Sequence, residues 1–360
     1  ASILAKNGIK PVLFEKRQAP GWKLLVAGSS GLNISYECPE DELAKHYPER
    51  QSEIADCLKQ FPRESWLELL RSFGEEPYLG SSKRYFLKSR TAASLLKAWR
   101  EQLESAGAEF RFGEELVGIS GTSPIILKFA SGKEEAVRFA LLALGGGSWE
   151  ETPPDWPKLL ESLGLHCKPL TPSNAGYSFS APLGFFEEAE GKPIKGLTLK
   201  TARGTRQGEL MITSYGLEGT PIYTVGCPGP ASMDLKPDLG EEKLAERLAA
   251  GKGSMESRLL NAAKLSPGAL LLLKALAPRS ALEIPAQAAK IIKNLPIELL
   301  NSRPLGESIS ARGGLSWDEL DEYLEVKKVP GLFVAGEMVD WDAPTGGFLI
   351  QACVSMGFVA

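Results

Sequence analysis

The sequence predicts a doubly wound α/β protein with a second domain inserted into the first. Two apolar runs without alternation, at 139–144 and 332–335, each lead directly into glycine. Such runs are typical of strands that are buried on both faces of a parallel sheet. Between them lie short β-like segments and leucine-rich helical stretches that break the pattern. At 360 residues the chain also exceeds a typical single domain.

The composition is that of an ordinary globular protein, with 43% hydrophobic and 24% charged residues. The net charge of −4 gives no electrostatic reason to expect nucleic-acid binding. Five cysteines without CxxC spacing and two histidines predict no metal site, and the thiols fit a reducing cytoplasm. The sequence shows neither an apolar run of about 18 residues nor a signal peptide, so we expect no membrane partner.

The last buried run opens a segment that combines a strand, an acid, a glycine turn and a helix. The strand at 332–335 stops at Gly336, and Glu337 follows directly. A Thr-Gly-Gly turn at 345–347 then precedes a run of small residues at 349–360 that predicts a helix. Glycines let a ligand approach the backbone, and a helix N-terminus offers free N–H groups and positive potential.

An acid beside free N–H donors suits FAD. The ribityl hydroxyls would meet the acid, and the N1–C2=O edge of the flavin would meet the helix N-terminus. An ordinary βα unit with a glycine-rich connection would show the same pattern.

The start of the chain resembles the back half of a dinucleotide-binding βαβ unit. Residues 1–8 predict the end of a helix, and an apolar strand at 11–14 ends in Glu15. In such units the acid binds ribose hydroxyls, and the glycine-rich phosphate loop lies about 20 residues earlier. We therefore expect the first strand and its GxGxxG loop to precede Ala1, and the last helix to continue past Ala360. A chain without that loop is expected to retain FAD poorly.

Two further glycine-rich connections are candidates for cofactor contact. The Gly28-Ser29-Ser30-Gly31 loop can donate backbone N–H groups to an anion or a ring edge, and Asn33 adds a side-chain amide. A surface loop is the alternative for this segment. The second connection, Gly145-Gly146-Gly147, follows the buried run at 139–144. Doubly wound folds bring the chain close to the cofactor at junctions of this kind.

The remaining segments define the domain organisation. Amphipathic helices at 40–73 cover the first domain, and we interpret Trp66 there and His166 farther on as structural residues. The inserted region begins with β-like segments and continues with a helical stretch at 239–300. The predicted domains are a cofactor domain at 1–165 and 306–360 and an insert at 166–305, with a β part at 166–235 and a helical part at 236–305. We expect the last strand to share one sheet with residues 12–14 and 141–144.

Four motifs occur in order along the chain: KLLVAGSSGLNIS at 23–35, ALGGGSW at 143–149, GELMITSYGLEG at 208–219 and GLFVAGEMVDWDAPTGGFLIQA at 331–352. Together they resemble the FAD-dependent oxidoreductases grouped with aminoacetone oxidase and the 3-dehydro-bile-acid reductases, a family of bacterial flavoproteins. The resemblance covers nearly the whole chain. It implies a Rossmann-like FAD/NAD(P)-type domain that is split in sequence by an insert.

At the adenosine end of FAD, the resemblance implies that Glu15 binds the ribose and that Val117 lies beside the adenine. Gly145 and Gly146 would pass the same end. At the other end, the flavin side would be lined by Gly28, Gly31 and Asn33. The implied cofactor-binding residues are Glu15, Lys16, Lys23, Gly28, Gly31, Asn33, Val117, Gly145, Gly146, Gly336, Glu337, Gly346, Gly347 and Phe348.

Closer to the reacting ring, Glu337 would bind the ribityl or pyrophosphate end. Gly346, Gly347 and Phe348 would approach the isoalloxazine. We expect a side chain at Gly347 to block the ring while the fold of the apoprotein changes little.

The chain departs from the family pattern in two places. Gly31-Leu32-Asn33 stands where much of the family has Arg-Cys-Asn, and Ser214-Tyr215-Gly216 stands near a family His-x-Gly. No catalytic acid or base is therefore assigned. Tyr215 and Glu218 are candidates by position, and a structural role is the alternative for both.

The predicted function is FAD-dependent oxidation or reduction of an unidentified small organic substrate, with hydride transfer through the flavin. NAD(P)H or oxygen would be the second redox partner. The alternatives are a flavin-binding protein without enzymatic activity, a fragment that does not retain its cofactor, and a nucleotide-binding module without a redox role.

Overall fold

The structure, a computed structural model, describes residues 1–28, 31–89 and 91–360, and the chain divides into two compact units. Unit 1 comprises 1–171 and 309–360, and unit 2 comprises 172–308. A strand at Cys167–Ser173 pairs with a strand at Ser310–Leu315, which keeps residues 167–171 with unit 1. The predicted boundaries after residues 165 and 305 therefore lie inside unit 1 and unit 2, respectively.

The α-helices are numbered in chain order. They are α1 (Ser2–Lys6), α2 (Trp22–Ala27), α3 (Glu40–Leu43), α4 (Gln51–Gln60), α5 (Arg63–Ser72), α6 (Ala92–Ser105), α7 (Trp156–Ser162), α8 (Phe185–Ala189), α9 (Thr220–Val225), α10 (Glu241–Ala250), α11 (Met255–Asn261), α12 (Pro267–Leu276), α13 (Arg279–Leu282), α14 (Pro285–Lys293) and α15 (Phe348–Val359).

The strands are numbered in the same way. They are β1 (Val12–Glu15), β2 (Ser35–Tyr36), β3 (Pro77–Leu79), β4 (Arg84–Leu87), β5 (Glu109–Phe112), β6 (Leu116–Ser120), β7 (Ile125–Phe129), β8 (Glu134–Val137), β9 (Ala140–Leu142), β10 (Cys167–Ser173), β11 (Tyr177–Phe179), β12 (Pro193–Thr201), β13 (Gly204–Ile212), β14 (Leu217–Glu218), β15 (Gly229–Asp234), β16 (Leu295–Ser302), β17 (Ser310–Leu315) and β18 (Leu332–Val334).

Unit 1 contains two parallel strand pairs. β1 pairs with β5, and β9 pairs with β18, with Leu332 opposite Ala140. The prediction that the last strand joins residues 141–144 is confirmed. In the described ranges, residues 12–14 pair with β5 alone and no strand joins the two pairs, so their place in the same sheet stays a prediction. Val12 and Leu141 are 41% and 42% exposed on these pairs.

Smaller antiparallel sheets and helices cover these pairs. One sheet has the order β6-β7-β8, and the other has the order β2-β4-β3. The rings of Phe14 and Phe129 stack with centroids 4.6 Å apart and join β1 to the first of these sheets. Trp66 is 1% exposed and donates from Nε1 to the Ile34 carbonyl at 3.1 Å, which confirms its predicted place in the core.

Local sequence signals explain several elements of unit 1. Helix α6 begins after Thr91, whose hydroxyl accepts the N–H of Ser94 at 3.2 Å. Leu95 and Leu103 then bury one face of this helix. The apolar run at 24–27, which precedes the glycine loop, lies in helix α2.

Unit 2 is a closed β-barrel with helices packed against it. The strand order is β11-β14-β13-β12-β15-β16. Barrel and helices share one core, in which Leu197, Leu272 and Ile292 are fully buried. The prediction of helix through residue 300 is wrong, because β16 is a strand that closes the barrel. Its residues alternate between buried and exposed from Leu295 onward, with the period of two that a half-buried strand requires.

Candidate cofactor site

Four predicted residues meet beyond the carboxyl ends of β9 and β18. Lys23 Nζ lies 3.4 Å from Glu337 Oε2. A Cβ added to Gly145 would lie 3.2 Å from Lys23 Nζ, and one added to Gly146 would lie 3.1 Å from the Glu337 carbonyl oxygen. We call Lys23, Gly145, Gly146 and Glu337 the acid cluster. The ends of parallel strands are where α/β sheets bind their ligands.

The ion pair of the acid cluster is partly buried, and a neutral thiol lies next to it. Glu337 is 16% exposed and Lys23 is 26% exposed, so their ion pair is partly shielded from water. Behind it, burial raises the pKa of the Cys353 thiol far above its usual range, and the negative charge of Glu337 adds to this rise. Gly336 lies beside this thiol with a φ of +80°, a conformation that favours glycine. The thiol therefore stays protonated and does not act as a nucleophile.

Glu15 is held in place at the end of β1. Its Oε1 accepts the backbone N–H of Arg17 at 2.9 Å, and its carbonyl accepts the N–H of Glu114 at 3.1 Å. The adjacent cations turn toward a different acid, because Arg17 lies 2.8 Å and Lys16 Nζ 3.7 Å from Glu150 Oε2. The carboxylate of Glu15 is thus oriented by the backbone and is not neutralised by its neighbours.

Aromatic residues connect the Glu15 end to the acid cluster. The guanidinium of Arg17 lies 4.7 Å above the Trp22 ring, whose Nε1 donates to the Trp149 carbonyl at 3.5 Å. Trp149 follows the glycines that begin at Gly145. On the neighbouring sheet, Val117 is 54% exposed.

The glycine turn before α15 begins the predicted helix, and packing against strand β2 explains why glycine occupies position 347. Gly346 and Gly347 have φ values of +117° and +103°, and Gly347 caps the helix without a side-chain hydrogen bond. A Cβ on Gly347 would lie 2.6 Å from the backbone nitrogen of Ser35. The expectation that a side chain here would leave the apoprotein fold almost unchanged is therefore wrong, because the space beside Gly347 is filled by strand β2.

The ring of Phe348 packs inside unit 1 and does not face an open cofactor site. Its ring is 4% exposed and packs against His46 and Tyr36, with centroids 4.3 Å and 4.9 Å away. Its carbonyl accepts the hydroxyl of Tyr47 at 2.8 Å. An approach of Phe348 to an isoalloxazine would therefore involve its backbone N–H and not its ring.

A buried polar chain anchors α15, and no local pattern in the sequence signals it. Ser35 Oγ donates to Gln351 Oε1 at 2.8 Å, and Gln351 Nε2 donates to Ser355 Oγ at 3.3 Å. Ser355 Oγ in turn donates to the Phe61 carbonyl at 2.7 Å. The three polar side chains are fully buried. Such a network fixes the position of the first turn of α15.

The glycine loop before β2 has one open and one packed glycine. A Cβ on Gly31 would meet no atom of the described residues within 4 Å, whereas one on Gly28 would lie 2.6 Å from Ala92 Cβ. Packing against α6 thus explains Gly28. Ser29 and Ser30, which belong to the predicted N–H cradle, lie outside the described residues. Asn33 Oδ1 is buried and has no hydrogen-bond partner among residues 1–28, 31–89 and 91–360.

The candidates in unit 2 bind one another. Tyr215 and Tyr223 both hydrogen bond to the Glu218 carboxylate, and Arg303 lies 4.1 Å above the Tyr215 ring. Burial and then the Glu218 carboxylate raise the pKa of Tyr215 well above its usual value. These contacts favour a structural role for Tyr215 and Glu218, because the Tyr215 hydroxyl and the Glu218 carboxylate are already hydrogen bonded.

The residues of unit 1 fit FAD. The buried Asn33 oxygen needs a donor, and the flavin N3–H is one. The open space beside Gly31 and the uncapped first turn of α15 leave room and N–H groups for an electron-rich ring edge. Glu15 and Glu337 present carboxylate oxygens, which are acceptors for ribose and ribityl hydroxyls.

Comparison with known proteins decides the family. The family model described as the HI0933-like protein Rossmann domain matches residues 1–360. The chain belongs to the HI0933-like family. A 3-dehydro-bile acid Δ4,6-reductase of Clostridium scindens is 23% identical over 380 residues, which cover 97% of this chain and 91% of that protein. This match agrees with the family resemblance of the four motifs.

One of the similar solved structures shows the same fold. A 3-ketosteroid Δ1-dehydrogenase from Sterolibacterium denitrificans, in complex with 1,4-androstadiene-3,17-dione, is 11% identical with a TM-score of 0.51. The match covers 99% of this chain and 95% of that one. A 3-ketosteroid Δ4-(5α)-dehydrogenase from Rhodococcus jostii is 13% identical with a TM-score of 0.42, over 99% of this chain and 93% of that one.

The family assignment confirms the Rossmann-like α/β fold and the resemblance on which the cofactor prediction rested. This HI0933-like protein is an enzyme of the FAD-dependent oxidoreductase class. Within the described ranges, no helix has both the length and the apolar character needed to cross a bilayer.

Proposed function

We propose that this protein transfers a hydride between a small organic substrate and FAD held at the acid cluster. The observation that carries the proposal is the meeting of Lys23, Gly145, Gly146 and Glu337 beyond the ends of two parallel strands. Segments far apart in the sequence supply these residues. Packing between neighbouring elements does not by itself explain why the Lys23–Glu337 ion pair lies beside Gly145 and Gly146 at that edge.

In this proposal FAD supplies the redox chemistry, and the chain binds and orients the cofactor. Glu15 accepts ribose hydroxyls, and Glu337 accepts hydroxyls nearer the ribityl chain. Lys23 pairs with the Glu337 carboxylate at 3.4 Å and adds positive charge toward the phosphates. The first turn of α15 directs N–H groups at the pyrimidine edge of the flavin, where they favour negative charge.

The name of the Clostridium scindens relative supports an unsaturated ketone as the first substrate class to test. A carbon–carbon double bond conjugated to a carbonyl accepts a hydride at the carbon remote from the carbonyl. NADH or NADPH would supply the electrons for such a reduction.

The free thiols support a cytoplasmic location, which we also propose. All five cysteines are unpaired. Burial raises the pKa of Cys57 to about 12 and that of Cys167 to about 11. Reduced, protonated thiols of this kind are typical of a reducing compartment.

We expect the purified natural protein, incubated with FAD and desalted, to keep the visible absorption bands of a bound flavin. Anaerobic NADH or NADPH should then bleach these bands, and an unsaturated ketone or oxygen should restore them. If no flavin is retained, the proposal fails in favour of a nucleotide-binding module. Flavin that dithionite reduces but neither nicotinamide nor substrate affects would support a flavin-binding protein without enzymatic activity.

We expect Glu15→Ala to weaken FAD binding about ten- to a hundredfold, because hydrogen bonds to a charged group contribute about 1.5–3 kcal/mol. Fluorescence titration of the apoprotein with FAD measures the effect. Glu109→Ala on the partner strand β5 is the control, since Glu109 is exposed and pairs with Arg111. Both variants should melt like the wild type. An FAD dissociation constant that Glu15→Ala leaves unchanged would remove Glu15 from the site.

A further inference from the structure

One half-buried cation of unit 1 lacks a counter-charge. The guanidinium of Arg84, on β4, makes no hydrogen bond, ion pair or ring contact within residues 1–28, 31–89 and 91–360. Arg63 shows the contrast. Its guanidinium donates to the carbonyls of Tyr36 and Cys38 at 3.2 Å and 3.0 Å and lies 3.3 Å from Glu37 Oε1.

The Arg84 guanidinium lies beside the glycine turn before α15. A Cβ on Gly346 would be 3.1 Å from Arg84 Nε and 3.6 Å from its Cζ and Nη2. The arrangement follows from the small sheet, because Arg84 is opposite Tyr36 in the β2–β4 pair and Gly347 lies against Ser35 of β2. The cation and the first turn of the helix thus occupy the same end of this sheet.

This placement is unfavourable without an anion. A helix N-terminus carries positive potential, and a guanidinium beside it adds charge of the same sign. Partial burial also removes some of the water that would otherwise solvate the cation. The two positive groups together favour a ligand that carries or develops negative charge at the turn.

Asn33 supplies an independent indication of which ligand this is. Its Oδ1 is a buried acceptor without a described partner, and it precedes the strand against which Arg84 and Gly347 lie. Asn33 Oδ1 can accept a hydrogen bond, while the Arg84 guanidinium and the N–H groups of the first turn of α15 can donate. Together they complement the edge of a ligand on which N–H and carbonyl groups alternate. The pyrimidine edge of a flavin, with N1, C2=O and N3–H, is such an edge.

We propose that Arg84 is the cationic residue that stabilises negative charge on the N1–C2=O edge of the flavin when the flavin is reduced. This inference rests on the proposed function. It gives Arg84 a role in setting the reduction potential, which is separate from holding the adenosine half of FAD. Tight retention of FAD by an Arg84 variant is therefore compatible with the proposal, whereas an unchanged potential is not.

The test measures the midpoint potential of the FAD-loaded protein for Arg84→Met, Arg84→Lys and the control Lys83→Met. Lys83 is an exposed neighbour, so its variant removes the same charge without touching the turn. Arg84→Met should disfavour the reduced form about ten- to a hundredfold, a lowering of about 30–60 mV for two electrons. Arg84→Lys should recover part of this shift, and Lys83→Met should show none.

Sulfite provides a second readout. Its sulfur lone pair forms a bond to N5 of the oxidised flavin, and an electron pair moves to the N1–C2=O edge, so no other reagent is needed. The sulfite dissociation constant should rise about ten- to a hundredfold in Arg84→Met and stay unchanged in Lys83→Met.

Three outcomes would overturn the inference. Potentials that are equal in Arg84→Met and wild type, with a raised substrate KM, would place Arg84 at a substrate anion. If every change in midpoint potential, including that of Arg84→Lys, came with a lower melting temperature of the apoprotein, the role of Arg84 would be structural. A wild-type protein that takes up no FAD would remove the proposed function itself, whereas in the first two outcomes that function stands.

Discussion

Gly347→Val is expected to destabilise unit 1 by about 2–5 kcal/mol and, through this, to abolish FAD binding. A left-handed backbone costs a residue with a Cβ about 1–2 kcal/mol, and overpacking adds about 1–3 kcal/mol. Both terms apply here, because Gly347 has a φ of +103° and its Cβ would lie 2.6 Å from the Ser35 nitrogen. The clash is made by Cβ itself, so no rotamer relieves it, and the two methyl groups of valine add further bulk.

Tryptophan fluorescence of the apoprotein during urea unfolding measures this loss. All seven tryptophans lie in the ranges that form unit 1, so the signal reports on that unit alone. Gly357→Ala is the matched control in the same helix, because a Cβ there meets no atom within 4 Å. It should leave stability equal or slightly higher. Unchanged unfolding of Gly347→Val with lost FAD binding would instead restore the ligand-contact explanation.

Asp340→Ala should cost unit 1 about 2–4 kcal/mol. The Asp340 carboxylate is 4% exposed and lies 2.6 Å from Lys168 Nζ and 3.4 Å from Arg50 Nη2. Removal of the Asp340 carboxylate takes the counter-charge from Lys168, whereas Arg50 keeps Glu53 Oε1 at 3.2 Å. The side chains of Lys168 and Arg50 are 47% and 26% exposed, and water therefore reduces the cost below that of a fully buried pair.

Asp56→Ala is the control for this prediction. Asp56 lies 2.8 Å from Lys59 Nζ, and both side chains are about seven-tenths exposed. An exposed pair three residues apart on a helix contributes about 0.2–0.5 kcal/mol. Equal shifts of the urea midpoint in the two variants would show that the Asp340 contacts contribute no more than a surface pair.

The sequence could predict the elements whose signals are local. β9 and β18 were found because strands buried on both faces form apolar runs that end at glycine. Helix α6 combines an apolar face at helical spacing with Thr91 as its cap. Gly145, Gly146 and Glu337 could be singled out because each follows the end of such a strand, whereas Lys23 was implied only by the family resemblance.

Features that depend on distant contacts could not be predicted. β16 follows several helices, and its assignment as a strand depends on pairing with β11 and β15 to close the barrel. Ser35 and Gln351 hydrogen bond across 316 residues, and neither carries a local signal of this contact. The sequence also does not reveal whether a ligand or the protein backbone fills the space beside Gly347. Arg84 is distinctive only because it lacks a partner among the residues that the structure describes, and only three-dimensional structure reveals this.

The ion pair between Lys23 and Glu337 joins positions 314 residues apart, and this separation sets an order of events during synthesis. At about 5–20 residues per second, a ribosome needs on the order of tens of seconds to pass from the first residue to the second. A ligand that requires both side chains must wait for the C-terminal segment to leave the ribosome. Until then, the growing chain must keep its earlier segments soluble without help from a cofactor bound between them.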